Sequence, residues 1–264
     1  MGKEVYPNAP LSWVTAEIRY PQAPRLRQQQ TLDQIQIALE TLLPIGRSEH
    51  QLTLQIGPGG SVNPQEQAYR LLNRASTASA VIGPQALTVE TTSYRRSEDF
   101  LSLVRAVVDV VLQRSSIPAV ERIGLRYINE VRVPDAITRP EQWQSWVAPV
   151  LLNATEVSGG RSVAALQGIV QYETDDQQHM TFRYGTFGSG TVVGNPVLKR
   201  ADNDQTQPFF LLDLDSFWEA MSPESALAPD SERIAEILDS LHEPISDIFE
   251  GALTDRLRQV FRRE

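Results

Sequence analysis

Alternating and helical periods divide this chain into a run of strands and a few helices. From Leu11 to Tyr20, residues Val14, Ala16, Ile18 and Tyr20 fall on one side. Ser12, Thr15, Glu17 and Arg19 fall largely on the other, and Trp13 breaks the pattern. Pro21 and Pro24 end the run. Thr31 to Leu43 carries apolar residues at helical spacing and is closed by Pro44. A short alternation over Leu52–Ile56 precedes the breaker GPGGS at 57–61, and strands follow near 69–75 and 79–93. The segment Ser97–Arg114 predicts a heavily buried helix, with Ser97 as its N-cap and Glu98 and Asp99 complementing the helix dipole.

The clearest strand is Arg122–Val133. Ile123, Leu125, Tyr127, Asn129, Val131 and Val133 share one row, and Arg126, Ile128, Glu130 and Arg132 share the other. WQSWVAPVLLN suggests a short amphipathic helix, and GGR at 159–161 opens a second half. Strands are expected near 163–173, 179–187 and from Phe209, with a long last helix over 231–262. The pattern predicts an α+β fold of two mostly antiparallel sheet-plus-helix halves, 1–140 and 141–264, packed as one unit. Each half places an aromatic-ending strand before a long helix, a likeness open to duplication and to coincidence alike. Regular β–α alternation is too poor for a doubly wound sheet.

The chain has 264 residues, a net charge of −9 and no cysteine. Disulfides, thiol nucleophiles and cysteine-ligated metals are therefore excluded. The acidity disfavours direct nucleic-acid binding. Three histidines leave little for a metal site, and no cofactor is expected. With neither a secretory pattern nor a membrane-spanning apolar run, a cytoplasmic protein is expected.

GTFGSGTVVGNP at 185–196 lacks the Lys–Ser/Thr pair and following helix of a phosphate cradle, and predicts a hairpin. Asp213 and Asp215 share a strand face. They are weak candidates for Mg²⁺, because no third carboxylate stands beside them, and they equally suit an exposed strand face. Asp175-Asp176 suggests a turn. In the last helix Ile245, Ile248, Phe249, Ala252, Leu253, Leu257 and Val260 form one apolar face, and Pro244 predicts a kink or restart. His242 lies at its margin and Arg256 inside it, so each needs a partner if buried. His242 suits either a structural hydrogen bond or a general base, with Glu250 two turns along. Arg126 points away from Tyr127 and Asn129. No Ser–His–Asp arrangement, HExxH or GxSxG occurs.

YPNAPLSWVTAEIRY, ERIGLRYINEVRVP, LLDLDSF and LHEPISDIFEGALTDRLRQVF together resemble a sporadically distributed family of bacterial and archaeal proteins. Its pattern of Asn-Ala-Pro, Gly-Leu-Arg-Tyr-Ile-Asn and closing Leu-His, Phe-Glu and Thr-Asp pairs falls here on Asn8–Pro10, Gly124–Asn129, Leu241-His242, Phe249-Glu250 and Thr254-Asp255. The resemblance implies a full-length member but supplies no activity. Patchy distribution suits defence or toxin–antitoxin-like modules.

Two functions remain. The first is a binding or interaction protein acting with a genetically linked protein partner, or with a second copy of itself, through aromatic-bearing loops around Trp143, Trp146 and Trp218. The second is a hydrolase or nucleotide-processing enzyme using His242, Glu250 and Arg126, with Asn129 nearby. Convergence of these four on an open cleft would favour the enzyme.

Overall fold

A computed structural model describes residues 5–51, 66–175, 177–192, 197–200 and 205–263. The first elements are β1 (Leu11–Arg19), α1 (Gln29–Ala38), β2 (Ile45–Gln51), β3 (Glu66–Leu72), β4 (Ala78–Ile82), β5 (Ala86–Thr91) and α2 (Ser97–Arg114). They are followed by β6 (Arg122–Val131), β7 (Gln167–Asp175), β8 (Gln178–Phe187), β9 (Phe209–Glu219), α3 (Ser231–Ala252) and α4 (Asp255–Phe261). The stretch 52–65, with its expected strand and GPGGS, lies outside the described residues, as does Asp176.

The expectation of a sheet for each half is corrected: among the described residues all nine strands form one antiparallel sheet, ordered β2-β3-β4-β5-β1-β6-β9-β8-β7. The seam is the β1–β6 pairing, where Val14 faces Tyr127 and Ile18 faces Ile123. Two half-sheets each offering an apolar first strand satisfy those edges by joining them, which also extends one core across both. Ser12 is the extra residue of a bulge between Leu11 and Trp13. That bulge is why Trp13 breaks the alternation: it turns Leu11 to the helix side and leaves Trp13 on the far face beside Ile128.

The helices cover one face. Val14, Ala16, Ile18, Val89, Leu125 and Leu212 pack there with Phe100, Val104 and Val107 of α2 and Ile234, Leu238 and Leu241 of α3. Burial at i, i+4, i+7 and i+11 recurs in both long helices, as Phe100, Val104, Val107, Val111 and as Ile234, Leu238, Leu241, Ile245. The order of elements recurs as well: a first strand, a helical segment, a meander whose last strand returns beside the first, then a long helix. β5 pairs with β1, and β9 pairs with β6.

Some boundaries differ from the pattern. Ser97 begins α2 rather than capping it; Arg96 is the N-cap and gives no side-chain bond. Trp143 and Trp146 lie on and just after 3₁₀ turns instead of an α-helix. Pro244 is accommodated inside α3, and the last helix is interrupted nine residues later, at Leu253. Leu253 becomes extended and bridges to Val147, while Thr254 caps α4 by accepting from the Leu257 N–H. Gly185 continues β8 rather than forming a cradle. A Cβ there would come within 2.4 Å of the Leu166 carbonyl, so only glycine fits. No helix among the described residues is long and apolar enough to cross a membrane.

Candidate functional site: a cavity under the helices and a charged outer face

On the helix side, a cavity of about 780 Å³ opens between the segment preceding β1, the start of α2, β6 and the second half of α3. Among its walls are Tyr6, Tyr94, Tyr127, Asn129, His242 and Glu250. Three of the four residues proposed for acid–base work therefore share one space. Arg126 does not. Strand alternation sends it through to the outer face, where Nε and Nη2 clasp Asp213 in two bonds of 2.7 Å.

Each wall residue has a definable state. Asn129 is 4% exposed, and its Nδ2 donates to the Leu212 carbonyl at 3.1 Å. That bond fixes the amide orientation of a residue that lines the cavity. Tyr127 donates to the Tyr94 hydroxyl at 3.2 Å, and the rings meet edge to face. Burial above all, and then Tyr94, pushes the Tyr127 phenol well above its ordinary range; burial also raises Tyr94. Both phenols are neutral at physiological pH. The Tyr94 hydroxyl accepts from Tyr127 and also shares a hydrogen bond with the Ser97 side chain at the start of α2. His242 packs its ring 5.7 Å from that of Tyr127 and also borders a smaller groove of about 260 Å³ between α2 and α3. Glu250 accepts from the Tyr6 hydroxyl at 3.1 Å and from Arg258 at 3.2 Å. Phe249 is half-buried and lines the cavity, which explains why the apolar face of α3 extends beyond what the core needs.

The aromatic-loop candidates are corrected. Trp143, Trp146 and Trp218 are core residues, 1%, 2% and 5% exposed, and cannot serve as surface contacts. The proline-initiated turns and the end of β9 tuck them inward. Trp143 packs on Phe210, and Trp218 donates its indole N–H to Gln177. Arg256 is exposed instead, stacked 3.8 Å above Trp146 and bonded to Asp135.

The outer face of the sheet is charged. Asp213 and Asp215 do share it, but Arg122, Arg126 and Arg183 stand within ion-pairing distance of one or both. Three guanidinium groups oppose a cation there, and no carboxylate-rich cluster able to hold a metal occurs among the described residues. Nη1 of Arg183 makes no hydrogen bond and lies 3.6 Å from Asp213. Burial raises the Asp215 carboxyl despite these arginines. Across β1, the other half carries a second cluster, in which Arg70 bonds Glu90, Ser79 and Glu49.

The connection from β8 to β9 is fastened to this face. Glu130 accepts from the Thr191 hydroxyl, the Val192 N–H and the guanidinium groups of Arg132 and Arg200. Burial alone would raise Glu130, but these donors outweigh it and hold its carboxyl below the usual range. Farther along, the Lys199 N–H reaches the Ser76 carbonyl at 2.7 Å.

Sequence reasoning missed Tyr6, Tyr94 and Arg183. The Tyr94 ring lies just past the alternation of β5, and nothing local to Tyr6 points to a carboxylate 244 residues away. Against protein-family models and curated proteins the sequence finds no match.

Proposed function

We propose that this protein works by recognition rather than turnover, binding a small ligand in the helix-side cavity and acting with a separately encoded protein partner. The observation that carries this reading is the division of the candidate catalytic set by the sheet. Arg126 is committed to Asp213 on the outer face, so it cannot stabilise charge developing beside His242. Glu250 already accepts two bonds. What the cavity offers is volume within the usual range for small-molecule sites, aromatic walls and a few aimed polar groups. The resemblance to a patchily distributed family agrees with a partner in a defence or toxin–antitoxin-like module. Duplication of an ancestral α+β unit accounts for the repeated order of elements. The second unit of that duplication starts at β6, earlier than a boundary near 140.

The enzyme reading keeps one observation in its favour, that His242 and Glu250 share the cavity. Incubation with a native-host metabolite extract separates the two. Under the binding reading, a compound is retained unchanged at no more than one equivalent. Depletion of a compound far beyond stoichiometry, lost in His242→Ala, would replace this reading with catalysis.

A further inference from the structure

Independently of the cavity, we infer that the outer edge of β7 is a self-association surface. A second copy of this chain adds its own β7 there, antiparallel, and joins the two sheets into one. Counted outward from the seam, the first half runs β1-β5-β4-β3-β2 and the second runs β6-β9-β8-β7. β7 therefore stands where β3 stands. The place that β2 fills beside β3 has no occupant beside β7 among the described residues. The second half has a seat for one more strand.

The β7–β8 ladder settles which backbone groups line that seat. The Thr186 N–H donates to the Leu166 carbonyl, and Gln167 lies opposite Gly185. Even-numbered residues of β7 accordingly turn their N–H and C=O groups toward β8. Gln167, Ile169, Gln171 and Glu173 turn theirs outward. Pairing is regular as far as Glu173, where a bulge begins. No Pro, Lys or Arg, the usual guards of a sheet edge, occurs from Gln167 to Glu173.

The side chains name the occupant. β3 holds its outer neighbour by charge, since Arg70 bonds Glu49 of β2 twice. From Gln167 to Tyr172, β7 carries no charge, in a chain whose net charge is −9. A strongly charged partner strand finds no counter-charge there, whereas two acidic copies meet without like charges facing. Antiparallel self-pairing about Val170 sets the two Val170 side chains against each other. Ile169 of one copy then faces Gln171 of the other, and Gln167 faces Glu173. All four outward residues find backbone partners, and apolar contact falls at the centre. Ile169 is 68% exposed in the single chain, and Val150 and Val157, in the segment that leads into β7, are exposed as well.

Sedimentation velocity on the full chain over about 1–200 µM tests this, because a single strand pair is a small interface and makes a weak dimer. The wild type should convert to dimer as concentration rises. Ile169→Glu combined with Gln171→Glu changes two exposed side chains, and position 169 lies opposite Arg183 within the chain. Between copies it sets glutamate against glutamate twice. It should weaken dimerisation tenfold or more and leave the melting curve unchanged. Ile169→Lys combined with Gln171→Lys should be monomeric alone, and an equimolar mixture of the two double variants should restore the dimer. Because the chain has no cysteine, Val170→Cys introduces a single thiol. Facing residues of a non-hydrogen-bonded pair lie about 4.5 Å apart, so mild oxidation should cross-link it much faster than Ile37→Cys, on exposed α1 surface. A wild type that stays monomeric throughout overturns the proposal. So does a dimer that the acidic double variant leaves intact, a mixture that stays monomeric, or a Val170→Cys variant that cross-links no faster than Ile37→Cys.

Discussion

The two halves place a carboxylate at matching positions on the outer face and treat it differently. Val14 of β1 and Tyr127 of β6 face each other at the seam; their partners on the other side are Thr91 of β5 and Leu214 of β9. One residue earlier on those outer strands stand Glu90 and Asp213. Glu90 is enclosed with Arg70, whose side chain is 9% exposed. Asp213 is equally buried, but Arg126 and Arg183 around it are each 39% exposed. The same comparison runs along the seam strands: Glu17-Ile18-Arg19 matches Glu130-Val131-Arg132, and in both the arginine bonds the glutamate two residues before it. The first pair is solvated, while the second is buried under the β8–β9 connection. Position in the sheet sets where a charge sits; what covers it decides whether it holds the fold or remains accessible.

The largest expected effect follows from Glu90. Glu90→Ala leaves Arg70 buried beside Ser79 with only the partly exposed Glu49 as counter-charge, and should cost about 3 kcal/mol in urea unfolding. Asp213→Ala frees two arginines that can turn toward water, so its cost should be about 1–2 kcal/mol. Equal losses would remove the distinction between a closed and an open cluster.

A smaller effect sharpens the seam comparison. Glu130→Gln removes the acceptor that gathers Thr191, Val192, Arg132 and Arg200, and should cost about 1–3 kcal/mol. Glu17→Gln, at a partly exposed carboxylate shared between Arg19 and Arg122, should cost about 1 kcal/mol or less. The pH dependence adds a sign. Glu130 is held below its unfolded value, so its contribution is present above the ordinary carboxylate range and is lost as pH falls through its folded value. Asp215 is raised, so its contribution is favourable only below its unfolded value and becomes a cost once pH rises through its folded value. Asp215→Asn should leave the neutral-pH melting temperature unchanged or higher, and Glu130→Gln should flatten the acid limb of the stability profile. A fall on Asp215→Asn at neutral pH would show that its arginines outweigh its burial.

What the chain disclosed in advance follows the range of the interactions. β6 was legible because alternation is local, and so was the separation of Arg126 from Tyr127 and Asn129. The helical period likewise placed His242 at the edge of the α3 apolar face. The single sheet was not legible, since the seam pairs residues more than a hundred positions apart and either half could have closed on itself. Trp13 looked misplaced because a bulge changes parity without any local mark. The tryptophans were read as loop aromatics when their turns face inward. The cavity stayed hidden because its walls come from four distant segments, and an apolar helix face has the same period whether it meets core or cavity.

The last comparison is between the long helices, and its expected stability effect is the smallest. Counting from Phe100 and from Ile234, the eighth residue on is Val108 in α2 and His242 in α3. Val108 is buried in the core, whereas His242 is half-buried and borders both helix-side spaces. A valine fills the corresponding place in α2, and the half-buried ring of His242 faces the cavity as well as the core. His242→Val should therefore change stability by less than about 1 kcal/mol. It should still weaken ligand binding, because the ring that supports Tyr127 is lost. A large drop in melting temperature would make His242 a structural residue and return the cavity's polar function to Asn129 and Tyr94 alone.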